Sequence, residues 1–330
     1  MNRTVSMRRR PGAVAKMVAA ALVAIALLAV SCTPSEPEPD PEVVRRRDER
    51  AEQTLRLVYP EWSSEIAGAH LIQAVLQERI GYRVELVPVP VDEMWSSVAE
   101  GQADILAGAW LPTTHRDYYR QYAPDLEDLG ANLTGARIGL AVPTVTPGFR
   151  TTETGRTGAE LVTITSISEL AETADRFGGR VISIESGAGV VARTREALAA
   201  YGLDRRFRLV ETDEAGMLAR VSDAIRREEW IVFTGWTPHW VFERYSLRFL
   251  EDPQQLFGGE ESIHTMVRRS LRDDAPDAHA VLSRMSWSPE DLERLMRWIQ
   301  EGQADDPYGQ ALRWIRVNRD LVDTWVEGIE

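Results

Sequence analysis

From Thr54 onward the hydrophobic positions switch repeatedly between two periods. Leu55–Tyr59 alternates in the two-residue manner of a strand, and Glu65–Glu78 then spaces Ile66, Ala69, Ile72 and Leu76 three or four residues apart, one face of a helix. His70 lies within that pattern and reads as a packed side chain. Tyr82–Val89 alternates again, Val91–Glu100 reads as a short helix, and Ala103–Ala109 as a buried strand. A strand at Gly139–Val142 and a Thr/Gly-rich loop over 144–158 precede a second series. That series runs helix near 168–176, strand Arg180–Ile184, helix 190–201, strand Phe207–Val210, helix 214–228 and strand Trp230–Thr234. The last third is helical. One start, Ser288-Pro289-Glu290-Asp291, joins a capping serine, a first-turn proline and an acid three residues on. Such alternation predicts α/β domains with mostly parallel sheets.

The first 52 residues follow neither period. Residues 1–16 are basic, and Met17–Val30 is an apolar run of 14, short of the roughly 20 residues that span a membrane. Basic start, short apolar stretch and small residues after it read as a secretory signal over 1–31. Ala29-Val30-Ser31 leads straight to Cys32, the only cysteine, which resembles the lipobox of bacterial lipoproteins, where the cysteine is lipidated. Residues 33–52 mix proline with acid and then charge with charge, a composition expected to form an extended tether.

Composition narrows the chemistry. The formal charge is −13, and the removable first 31 residues hold five basic groups and no acid, so the remainder is more acidic still. That argues against a nucleic-acid partner, which needs a basic surface. A single cysteine excludes an internal disulfide or a cysteine-cluster zinc site, and Lys16, the only lysine, leaves none for a Schiff base in the folded part. The histidines show no metal spacing, His279 sits in an Asp/Arg-rich stretch that suggests solvation, and no catalytic motif is present. One string competes. Gly187-Ala188-Gly189-Val190-Val191-Ala192, with Glu211 at the end of the next strand, fits a dinucleotide fingerprint and so a secreted NAD-dependent oxidoreductase. The same strand-to-helix turn presents free amides to any anion, a small carboxylate included.

The ten tryptophans carry the argument further. Trp298, Trp314 and Trp325 fall at helical spacing and read as packing, as do Trp95 and Trp230. Trp62, Trp110 and Trp236 each follow a strand, in a loop, where α/β domains place ligands. Indole faces are the best aromatic hosts for a quaternary ammonium, which cannot donate hydrogen bonds.

The segments Ala107-Gly108-Ala109-Trp110-Leu111-Pro112-Thr113-Thr114-His115, Ile184-Glu185-Ser186-Gly187-Ala188-Gly189-Val190 and Phe233-Thr234-Gly235-Trp236-Thr237-Pro238-His239-Trp240 resemble the glycine betaine-binding proteins of ABC importers. So do Asp252-Pro253 and Ser262-Ile263-His264-Thr265, in one continuous order over about 54–300. The resemblance implies a type II periplasmic-binding-protein fold, two α/β lobes joined by crossing strands near Ile138–Pro143 and Ile263–Arg268. Lobe 1 would comprise 53–140 plus 268–330, and lobe 2 141–267. It implies a cage of Trp62, Trp110 and Trp236 for the trimethylammonium, with Gly189, Val190 and His115 at the carboxylate. Glu185-Ser186 stands where the family commonly has Asp-Pro. The implied partners are a betaine, an ABC permease and its ATPase, and a membrane reached through acylated Cys32 on the extracytoplasmic face, with no cofactor. Choline, carnitine, proline betaine or a sulfonium analogue are alternative ligands.

Overall fold

The computed structural model describes residues 41–144, 160–302 and 305–329. Cys32, the signal-like segment, residues 33–40 and most of the Thr/Gly-rich loop lie outside them. The first element corrects an expectation, because Pro41–Glu52 is a helix (α1) rather than extended tether. No proline follows Pro41 in this stretch, Arg and Glu are good helix formers, and Arg50 anchors the last turn. Its guanidinium is buried, donates to the carbonyls of Ile80 (3.1 Å) and Ile329 (3.0 Å), and lies 2.6 Å from Asp277.

Strands β1 (Thr54–Tyr59), β2 (Arg83–Pro88) and β3 (Ile105–Leu111) pair in parallel in the order β2-β1-β3. Helices α2 (Ser63–Val75) and α3 (Val91–Ala99) make the crossovers. Every residue of β3 is buried, as expected of a parallel strand covered on both faces. After α4 (Arg116–Tyr122) comes β4 (Leu126–Pro143), the longest strand. The second half repeats the plan with β5 (Arg180–Ser183), α5 (Gly189–Ala200), β6 (Arg208–Glu211), α6 (Glu214–Arg227) and β7 (Phe233–Thr237). The short α7 (Trp240–Arg244) and β8 (Leu247–Phe249) precede β9 (Glu261–Arg268). Four helices close the chain: α8 (Pro276–Leu282), α9 (Pro289–Glu301), α10 (Pro307–Val317) and α11 (Arg319–Val326).

The strands follow one path, β2-β1-β3-β9-β4-β7-β5-β6, with β8 on β4. The lobes share β4, which pairs with β9 through Ala136 and with β7 from Arg137. All of β9 pairs within the first sheet. On this pairing we propose lobe 1 as 53–136 plus 261–330 and lobe 2 as 137–260, against sequence-based limits of 140 and 268. Helix α2 is buried on most of its surface, packed between the first sheet and α9 and α10. Trp314 and Trp325 stack there, ring centroids 6.0 Å apart. His279 is buried in α8 among Ala278, Val281 and Leu282, not solvated, because only its charged neighbours face out; its Nε2 lies 3.1 Å from Glu127.

Candidate functional site

Each of the three loop tryptophans sits where a strand ends, but two of them inside the strand. Trp110 is the sixth residue of β3, paired with Ile263, and Trp236 lies in β7, paired with Ile138. Their strands run on past the expected ends because both rings are buried, at 3% and 4% exposure, and the ladder continues beneath them. Trp62 follows β1 in extended backbone and caps α2. Its ring meets that of Trp236 at 6.4 Å between centroids, tilted by 50°.

The three indoles line one small cavity together with Thr114, His115, Ile138, Ile184, Ala188, Gly189 and Val190. All six residues expected at the ligand therefore face one space. Gly189 and Val190 are the first two residues of α5, whose N–H groups have no acceptor within the helix. His115 is fully buried, and burial draws its pKa down to about 3, so the ring is neutral. The Trp110 amide donates to His115 Nδ1 at 3.1 Å, which puts the ring proton on Nε2. That buried Nε2 makes no hydrogen bond within the protein, and His115 is part of the cavity wall. The arrangement places three indole rings, the neutral His115 ring and the free amides at the start of α5 around one space.

The sequence reading missed the carboxylates around this space. Trp62 Nε1 donates to Glu185 Oε1 (2.5 Å) and Trp110 Nε1 to Glu65 Oε1 (3.0 Å). Burial raises the Glu65 pKa to about 7, the Trp110 and Ser64 hydrogen bonds opposing it and the Glu214 charge adding to it. Burial would raise Glu214 too, but His239 and the two Ser63 donors outweigh it and hold its pKa below the ordinary range. Gly108 in the middle of buried β3 was the available signal, since a glycine there marks a close approach. A Cβ at Gly108 would stand 2.0 Å from Glu65 Oε2.

The cleft between the lobes is closed. Ser63 N donates to Glu214 Oε2 at 2.8 Å, and Ser63 Oγ also bonds that carboxylate. Trp240 Nε1 reaches Ser63 Oγ (3.2 Å), Tyr118 OH reaches the Gly187 carbonyl (2.9 Å), and buried Arg193 pairs with Asp117 (2.8 Å). With Thr114 against Gly189 at the start of α5 and Trp62 and Trp110 walling the same space, the cavity has no room for a dinucleotide, and Glu211 pairs with Arg195. No group of three or more metal-ligating side chains occurs among the described residues.

Fold and site together define a class: a two-lobed α/β binding protein of type II periplasmic-binding-protein architecture, closed around a small cavity at the strand ends. Within that class, the chain belongs to the family of substrate-binding domains of ABC-type glycine betaine transport systems, whose model matches residues 53–317. It is 38% identical over 151 residues to the glycine betaine/carnitine transport binding protein GbuC of Listeria monocytogenes, a stretch covering 46% of this chain. That match spans half the length of the Listeria protein (50%). The glycine betaine/L-proline-binding protein ProX of Borrelia burgdorferi has 34% identity and a TM-score of 0.76, over 84% of this chain and 97% of ProX. Lactococcal OpuAC in its closed form with glycine betaine has 33% identity and a TM-score of 0.74, over 83% of this chain and all (100%) of OpuAC.

Proposed function

We propose that this protein captures glycine betaine, or a close betaine, outside the cytoplasm and delivers it to an ABC permease driven by its ATPase. Cys32, acylated, would hold it at the membrane surface. No helix among the described residues is long and apolar enough to cross a membrane. The observation that carries the reading is the double character of one cavity. Trp62, Trp110 and Trp236 offer faces to a quaternary ammonium, while His115 Nε2 and the Gly189 and Val190 amides offer donors to a carboxylate. At about 0.5–2 kcal/mol per cation–π contact, the cage supplies only part of the roughly 8 kcal/mol of a micromolar complex. The donors and the lobe contacts supply the rest. Choline has one neutral hydroxyl oxygen, with two lone pairs, to offer the His115 proton and both amides, where a betaine has a charged carboxylate with about four, so the geometry favours a zwitterion.

Titration calorimetry of the purified protein with glycine betaine, choline and proline tests this. Expected is saturable micromolar or tighter binding of glycine betaine, well ahead of choline, with Trp110→Ala and Trp236→Ala each losing at least about tenfold. A folded protein that binds none of the three defeats the reading. Choline preferred over glycine betaine keeps the cage and defeats the carboxylate site.

A further inference from the structure

The indole N–H groups of this protein go to unlike places. Those of Trp95, Trp236, Trp287 and Trp325 are buried without a partner. That of Trp240 goes to a serine hydroxyl and that of Trp314 to a backbone carbonyl. Among the described residues, Trp62 and Trp110 are the two that donate to carboxylates, and both are walls of the cavity. Neither contact is incidental to the chain's path. Glu65 fits because residue 108 has no side chain, and Glu185 reaches Trp62 from the far side of the cleft.

We propose that Glu65 and Glu185 are positioning residues of the cage, which hold two of its three walls by the indole N–H and place negative charge behind them, so that the site prefers a cation to a neutral group of the same shape. This rests on the betaine reading. A charge-assisted N–H···O⁻ bond fixes the ring plane and so lowers the ordering that binding requires. A carboxylate on the indole edge enriches the negative face that a cation meets. Each carboxylate stands one indole away from the cavity, so its field crosses protein rather than water. The Glu185 contact has a second effect. It joins the lobes, so Trp62 is a fixed wall only once the cleft has closed, which couples cage assembly to closure. Trp236, whose indole N–H is bare, contributes shape and a face but no such charge.

The test pairs glycine betaine with 3,3-dimethylbutyrate, which keeps the carboxylate and replaces the trimethylammonium by a tert-butyl group. Calorimetric affinities are measured for the whole protein and for Glu185→Gln and Glu65→Gln. Both variants preserve an acceptor, and at pH 8, above the Glu65 pKa of about 7, both remove a charge. Expected is a loss of about fivefold or more for glycine betaine, with 3,3-dimethylbutyrate within about twofold, the sensitivity of a neutral group. Equal losses for both ligands, or no loss for glycine betaine, overturn the proposal. The Trp110 indole ¹H–¹⁵N resonance gives a second readout that needs no ligand. It should lie downfield and move upfield in Glu65→Gln, and a resonance that does not move overturns the clamp. A folded protein that binds neither ligand while that resonance moves defeats the betaine reading, and the selectivity with it, but not the clamp itself.

Discussion

At Gly189 a β-carbon would stand 2.3 Å from the Thr114 carbonyl oxygen, backbone against backbone across the cleft. The residue is small because the opposite lobe comes to rest on it, at the point where its amide faces the cavity. Gly189→Ala should therefore prop the cleft open, with glycine betaine affinity down at least about tenfold and an unchanged far-ultraviolet circular dichroism spectrum. Glu65 gives a pH prediction. Its pKa rises from 4.5 to about 7 in the fold, so burying the neutral acid stabilises the protein fully below 4.5, and this stabilisation is lost as pH rises through 7. This stabilisation is roughly 3 kcal/mol. Melting temperatures between pH 5 and 8 should fall more steeply for the wild type than for Glu65→Gln. A bound cation favours the ionised form, so glycine betaine affinity should tighten as pH rises from 6 to 8, and Glu65→Gln should flatten that profile. Of the site, the three tryptophans were legible from their places after strands, while His115, Gly189 and Val190 were marked as site residues by the strings that resemble the family. Glu65 and Glu185 were not, because their partners lie 45 and 123 residues away.

Among elements, most βα units stand close to where the hydrophobic period puts them, and the misplaced ones share a cause. Of β4, only Gly139–Val142 was legible in advance. Its earlier part carries Gly130 and Gly135 at positive φ and acids that suit turns. It is a strand because β9 lies alongside, at the cost of three irregularities in register. Helix α1 is the same case in helical form, since nothing in 41–52 announces an apolar face and the buried Arg50 guanidinium is what carries its last turn into the fold. Arg50→Ala leaves the Ile80 and Ile329 carbonyls unpaired. It should lower unfolding free energy by about 2–3 kcal/mol, read by urea titration, with glycine betaine affinity unchanged, because none of its partners lines the cavity.

For the molecule as a whole, the question is what holds the lobes together. Beyond the cavity walls, the inter-lobe contacts include Ser63–Glu214 and Ser63–Trp240, Tyr118–Gly187, Arg193–Asp117, Arg116–Glu196 and Arg297–Glu243. Those bonds exist only in the closed arrangement, so they bear on the open–closed equilibrium and not on the stability of either lobe. Ser63→Ala should weaken glycine betaine binding about fivefold, the worth of a hydrogen bond to a charged group, and leave the ligand-free melting temperature in place. Small-angle scattering at saturating ligand should still show the compact form.

Arg50 fastens α1 to Ile80 beside the first sheet and to Ile329 near the end of the chain. Whatever holds the chain upstream, a pull on it enters the body there. The second sheet hangs as a cantilever on β4 and the return into β9. In mechanical terms lobe 1 is the stator and lobe 2 the moving jaw. A protein held from its N-terminal side would keep Trp62, Trp110 and His115 still and swing Gly189, Val190 and Trp236 onto the ligand. Tension applied through α1 would then leave the jaw's own equilibrium untouched, so capture should proceed alike whether the protein is fixed or free.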